Sequence, residues 1–206
     1  MKEYLNTLEN WQQQHRSFAL ARVIRTWGSS PRPVGSCLFI DEAGHMVGSV
    51  SGGCVEGAVV QAAQEVLKHG AAKILKYGVS DEDAWTVGLS CGGNVEVLLQ
   101  PIVTSDRIHL PFWPALLQAL QQDQPCSWVT LLEDGNPTNT LIQGDRSVSG
   151  DSLPPEVLGE ARQAYQQRTH RTVEVNKQAY FVHLFPRKPQ LLIVGAAHIT
   201  ADLVEL

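Results

Sequence analysis

The sequence predicts an α/β (or α+β) N-terminal domain with the start of a C-terminal Rossmann-like domain. Three observations predict it. Val55, Ala58, Val59, Ala62, Ala63, Val66 and Leu67 form one apolar stripe at helical spacing. Around it lie short apolar runs of strand character, separated by turns rich in glycine, proline and aspartate. Near the end, the apolar run at 191–194 leads into Gly195 and a helical pattern, a strand–glycine–helix sequence of the dinucleotide-binding type. Alternation of strands with a long helix fits a mixed class.

In chain order, Tyr4, Leu5, Leu8 and Trp11 lie on one face of a helix that ends near His15. Residues 18–25 read as a strand. The segment 27–35, W-G-S-S-P-R-P-V-G, holds two glycines and two prolines and is therefore a stiff loop. Strands at 36–40 and 46–50 flank a turn at 41–44. The long helix starts near Cys54, carries Lys68 and His69 in its last turn and stops at Gly70. Strands follow at 73–77 and 94–100, the second closed by Pro101, with a polar turn at 81–84 between them. A helix begins near Pro114. A strand at 127–133, a D-G-N-P turn at 134–137, a strand at 139–143, a helix at 156–168 and a hairpin of 171–175 with 179–185 complete the domain. No internal repeat is evident in the residues. These features give three parts: a domain over 1–185, a P-R-K-P linker at 186–189, and the first βα unit of a Rossmann-like domain at 190–206.

Composition narrows the function. The 206 residues carry a formal net charge of -5 and no basic run, which excludes nucleic acid and anionic membranes as expected partners. No apolar stretch is long enough to span a bilayer, and residues 1–11 lack the apolar region of a signal peptide. Four cysteines without short paired spacings do not form a disulfide framework. The expected location is the cytoplasm, with reduced thiols.

The chemistry concentrates in two glycine-flanked cysteines. S-V-S-G-G-C-V-E-G at 49–57 places Cys54 behind Gly52 and Gly53, in what reads as the first turn of the long helix. Unpaired N–H groups and the helix dipole favour an anion there and lower a thiol's pKa. Cys91, followed by Gly92 and Gly93, repeats the pattern, whereas Cys37 and Cys126 sit in or beside apolar strands and read as core. Glu56 suits either the helix dipole or a role as proton acceptor or ligand, and Ser51 either a turn or a ligand contact. Arg32, held between two prolines, is either a surface residue or a cation fit for an oxyanion such as phosphate. The spacing required for structural zinc is missing, and no nucleophile elbow is present. No catalytic residue is assigned, and the metal handled stays open.

The segments G-S-S-P-R-P-V-G at 28–35, G-S-V-S-G-G-C-V-E at 48–56 and L-S-C-G-G at 89–93 resemble, in this order, the XdhC/CoxI family of accessory proteins for molybdenum hydroxylases such as xanthine dehydrogenase. The resemblance covers about the first hundred residues and the final strand. It implies a chaperone that binds molybdenum cofactor (molybdopterin) transiently, supports its sulfuration by a cysteine desulfurase and hands it to the apo-enzyme. Carried onto this sequence, the cofactor site comprises Arg32, Ser51, Gly52, Gly53, Cys54, Glu56, Cys91, Gly92 and Gly93. The family's Rossmann turn is usually G-x-G-H. Here Ala197 stands where the second glycine belongs, which argues against nucleotide binding. A homo-oligomer is compatible with this reading. The alternative from the residues themselves is a cysteine-dependent transferase or redox enzyme acting on a small metabolite.

Overall fold

The computed structural model describes residues 1–78, 93–105, 107–144, 146–189 and 194–195. The expected βα unit at 190–206, the turn at 81–84, Cys91 and Gly92 therefore lie outside the described residues, apart from Val194 and Gly195.

The described chain is built of four helices and ten strands in the order α1 (Leu5–Gln13), β1 (Phe18–Trp27), β2 (Cys37–Asp41), β3 (Met46–Gly48), α2 (Glu56–His69), β4 (Lys73–Tyr77), β5 (Asn94–Val103), α3 (Trp113–Gln121), β6 (Cys126–Leu131), β7 (Asn139–Gln143), β8 (Arg146–Gly150), α4 (Pro155–Gln167), β9 (Arg171–Val175) and β10 (Gln178–Phe185). They form two antiparallel five-stranded sheets, β3-β2-β1-β5-β4 and β8-β7-β6-β10-β9. The mixed α/β class expected from the sequence is thus found, in its α+β form.

The two sheets have one topology written twice. Each has a helix, a three-stranded meander, a second helix and a final hairpin, and the strand order within the sheet is the same. The local devices recur as well. His15 and Asp123, both with left-handed φ (54° and 52°), end the first helix of each unit two residues after its last turn. Gly70 and Arg168 cap the second helix in the left-handed conformation, at the same distance from the next strand. Gly48 and Gly150 end the third strand with φ 100° and 112°, and Ser49 and Asp151, the next residues, each donate N–H to the carbonyl of the first residue of the second strand. The repeat is absent from the residues because these positions share backbone geometry and spacing, not side chains.

Burial follows strand alternation. One face of the first sheet packs Ala19, Ala21, Val23, Leu38, Val97 and Leu99 against Val59, Ala63 and Val66 of α2. One face of the second packs Val129, Ile142 and Val182 against Val157, Ala161 and Ala164 of α4. The other faces meet each other. Phe18, Leu20 and Phe39 share a core with Trp128, Leu141 and Phe185, closed at one end by Trp11 of α1 and by Trp113 and Leu116 of α3. Arg22 lies inside this layer with no exposure, its guanidinium 3.7 Å from the Trp128 ring and its Nη2 donating to Gln100 (2.7 Å) and Thr130 (2.8 Å). Stacking and two hydrogen bonds offset part of the desolvation of a charge that has no carboxylate partner among these contacts.

Several boundaries differ from the sequence reading. β1 runs on to Trp27, so the stiff loop begins at Gly28. β5 continues through Pro101 to Val103. Pro101 lies at the bulge opposite Phe18 and Ala19 and beyond the end of β4, which starts opposite Leu99, so its missing N–H breaks no ladder on that side. The polar run Arg146–Gly150 forms β8, an edge strand without the apolar alternation that announces one. α2 starts at Glu56, so Cys54 precedes the N-cap residue Val55 and is not in the first turn.

Candidate functional site

Strand register places the three motif-bearing connections at one end of the first sheet. Trp27, the last residue of β1, pairs with Asn94, the first of β5. Cys37, the first of β2, pairs with Arg22 of β1, and Gly48, the last of β3, pairs with Leu38. The β1–β2 loop (28–36), the β3–α2 turn (49–55) and the β4–β5 connection (78–93) therefore emerge together. In the second unit the matching connections are 132–138, 151–154 and the two-residue turn of Asn176 and Lys177. Every glycine–cysteine motif belongs to an elongated connection of the first unit.

The loops touch. A Cβ placed on Gly93 would overlap the carbonyl oxygen of Ser29 and lie 3.0 Å from that of Trp27. A Cβ on Gly52 would lie 3.5 Å from Pro31. Gly35, at φ 89°, presses on the second unit: its Cβ would fall 2.6 Å from the His170 ring. Glycine at 93 and 35 is thus demanded by close approach of backbone to backbone and of backbone to ring.

Glu56 holds the β3–α2 turn. Its carboxylate folds back from the first position of α2. Oε1 accepts from the Ser49 hydroxyl (2.6 Å) and from the N–H groups of Val50 (3.1 Å) and Ser51 (2.9 Å). Oε2 accepts from the Ser51 hydroxyl and from the N–H of Gly53 (2.8 Å). Ser51 Oγ accepts from Val55 N–H, and Ser49 Oγ from Gly52 N–H, both at 2.9 Å. Burial by itself would raise the carboxyl's pKa; the hydroxyl and N–H donors overcome this and hold it down to about 2. An anion does occupy the helix N-terminus, and it is Glu56 itself. The N–H groups of Val50, Ser51, Gly52, Gly53 and Val55 are committed to it and to the two serines, so they are not the unpaired donors for an external anion that the sequence suggested. The cations at this end are side chains, among them exposed Arg32, whose carbonyl accepts from the Ser30 hydroxyl (3.0 Å).

Gly52 and Gly53 are exposed at φ 76° and 114°, and no atom comes within 4 Å of a Cβ on Gly53. The turn thus presents a bare backbone edge to solvent beside Cys54. Cys54 is half-buried and packs partly against the core under α2. Cys37 and Cys126 are buried, as their strand positions suggested, and burial pushes their thiols up to about 11 and about 12. Native protein treated with iodoacetamide at pH 7 should therefore be labelled at Cys54 before Cys37 and Cys126, which are labelled only on unfolding. Peptide mass spectrometry reads the order, and equal rates at the three thiols would contradict this placement.

Sequence reasoning missed the aromatic and charged groups beside the loops. Trp27 is 48% exposed. It lines two clefts, one of 380 Å³ with Lys76, Tyr77, Asn94 and Glu96, the other of 490 Å³ with Arg25, Val34, Thr172 and Glu174. Glu96 lies between Arg25 (3.6 Å) and Lys76 (3.4 Å) in one cross-strand row. The signal for Trp27 was its place before Gly28, where a strand ends and its last side chain has no core to enter. Among the described residues no cluster of three or more His, Cys, Asp or Glu is arranged to hold a metal ion. Among the described residues no helix is long and apolar enough to cross a membrane.

Comparison with known proteins adds sequence relatives to this geometry. The chain is 30% identical over 107 residues, 52% of its length, to the protein named Molybdenum cofactor insertion chaperone PaoD of Escherichia coli (strain K12). It is 26% identical over its full length to a protein of Bacillus subtilis (strain 168) named as a probable xanthine dehydrogenase subunit. It spans 31% and 61% of the lengths of these two relatives. A solved structure titled as a xanthine dehydrogenase from Bacillus halodurans shares the fold, with a TM-score of 0.66 at 23% identity over 89% of this chain and 53% of the other. Residues 11–78, which hold the 28–35 and 48–56 motifs, match the model of the XdhC and CoxI family.

Proposed function

We propose that this chain is an accessory protein that binds molybdenum cofactor transiently and assists its sulfuration and insertion into a molybdenum hydroxylase of the xanthine dehydrogenase type. The cofactor is cargo. The observation that carries the reading is the convergence of the three elongated connections at one sheet end, where Gly52 and Gly53 present bare backbone next to Cys54. The names of the two relatives, an insertion chaperone and a probable subunit of xanthine dehydrogenase, support the same cargo and client. In this reading the exposed glycine edge lies along the flat pterin, Cys54 and Cys91 offer soft sulfur to the metal end, and Arg32 faces the phosphate. Glu56 acts through the turn it holds. Residues 1–185 carry the cargo, 186–189 link them to a Rossmann-like unit beginning at 190, and a cysteine desulfurase and the apo-hydroxylase are the cytoplasmic partners.

The test is co-purification from cells that make the cofactor. Molybdenum and pterin in near-equal amounts on the native protein, both lost in Cys54→Ala, are the expected result. A native protein that retains neither and fails to raise the activity of a cofactor-free hydroxylase would overturn the reading.

A further inference from the structure

We propose that Trp27 is the stacking wall of the pterin slot and that Glu96 recognises the pterin's aminopyrimidinone edge; this rests on the cofactor reading above. Trp11, Trp113 and Trp128 are 5% exposed or less, whereas Trp27 is 48% exposed, at the sheet end where the elongated loops meet. An indole left in water beside a cleft is a surface for a flat ring. Its backbone is fixed: Trp27 pairs with Asn94, Gly28 turns the chain away at φ 67°, and the backbone of Gly93 packs over the Trp27 carbonyl. Glu96 is 8% exposed and lines the 380 Å³ cleft with Trp27. Its ion pairs to Arg25 and Lys76 are longer than hydrogen bonds, and a carboxylate offers about four lone-pair sites. The N3–H and 2-amino group of a pterin present two parallel donors that match such a carboxylate. Lys76, with its side chain 69% exposed, stands on the same cleft as a cation for the phosphate-bearing end.

The experiment uses 6-hydroxymethylpterin and 6-hydroxymethyllumazine, which replaces the 2-amino donor by a carbonyl, with binding measured by calorimetry and tryptophan quenching. Native protein should bind the pterin more tightly than the lumazine. Trp27→Ala should weaken pterin binding about ten- to hundredfold, while Trp27→Phe keeps most of it and the melting temperature of either variant stays close to native. Glu96→Gln should narrow the preference for pterin over lumazine, an outcome that a purely structural role would not give. Equal pterin affinity of Trp27→Ala and native protein, or no pterin binding by the native protein, overturns the proposal. The broader reading fails separately, on absence of molybdenum and pterin from the protein purified from cofactor-making cells. Cofactor retained there by Trp27→Ala at the native level would sink only the assignment of Trp27.

Discussion

Glu56→Gln is expected to destabilise the fold by about 3 kcal/mol and to loosen the turn that carries Cys54. The carboxylate accepts from two hydroxyls and from the N–H groups of Val50, Ser51 and Gly53. A glutamine keeps one acceptor oxygen and turns an amino group toward donors. Buried N–H groups left without an acceptor cost about 1–3 kcal/mol each. The pH dependence gives an independent measure. The Glu56 carboxyl is held at about 2 against an ordinary value of 4.5. The folded state thus binds this proton less readily than the unfolded chain. Its stabilisation is complete above pH 4.5 and is lost as the pH falls through 2, a difference of about 3 kcal/mol. Denaturant unfolding between pH 2 and 5 should show a stability slope in native protein that flattens in Glu56→Gln. The same slope in both would remove Glu56 from its role as the fastening of the turn.

Gly48→Ala and Gly150→Ala are expected to destabilise the two sheets strongly, each by about 2–5 kcal/mol. A Cβ on Gly48 overlaps the carbonyl oxygen of Cys37, and one on Gly150 overlaps that of Asn139. Both positions also have left-handed φ, which adds about 1–2 kcal/mol for a residue with a side chain. The crowded atoms are backbone atoms of the ladder and cannot rotate away, so overpacking adds about 1–3 kcal/mol more. Because a domain of this size has about 5–15 kcal/mol of stability, both variants should melt well below the native protein. Matching losses in thermal melts would support the equivalence of the two units. A neutral Gly150→Ala beside a damaging Gly48→Ala would break it.

How much of this was legible in the residues depends on whether local chemistry or distant packing decides each feature. The stop of α2 at Gly70, the strands Lys73–Tyr77, Asn139–Gln143 and Arg171–Val175, and the burial of Cys37 and Cys126 were legible, because caps, alternation and turn residues are local signals. β8 was not, since R-S-V-S-G pairs at a sheet edge through its backbone. The duplication was not, since Arg22 stands in β1 where Thr130 stands in β6, and spacing alone relates them. For Glu56 the residue was legible as important but its work was not. At a helix start it reads as an acid for the dipole or as a proton acceptor, and only the fold shows that five donors converge on it. Trp27 and Glu96 come together through pairing of β1 with β5, which no local pattern announces.

Cofactor retention by Gly53→Val tests the central claim most directly. Gly53 is exposed, and a Cβ there meets no atom within 4 Å, so a branched side chain intrudes on the space beside Cys54 and not on the core. The φ of 114° makes the substitution cost about 1–2 kcal/mol, which the fold survives. Molybdenum and pterin are then measured on native and variant protein purified in parallel, with circular dichroism to confirm folding. A folded Gly53→Val stripped of both is the predicted result. A folded Gly53→Val that retains them at the native level would place the cofactor elsewhere and contradict the account.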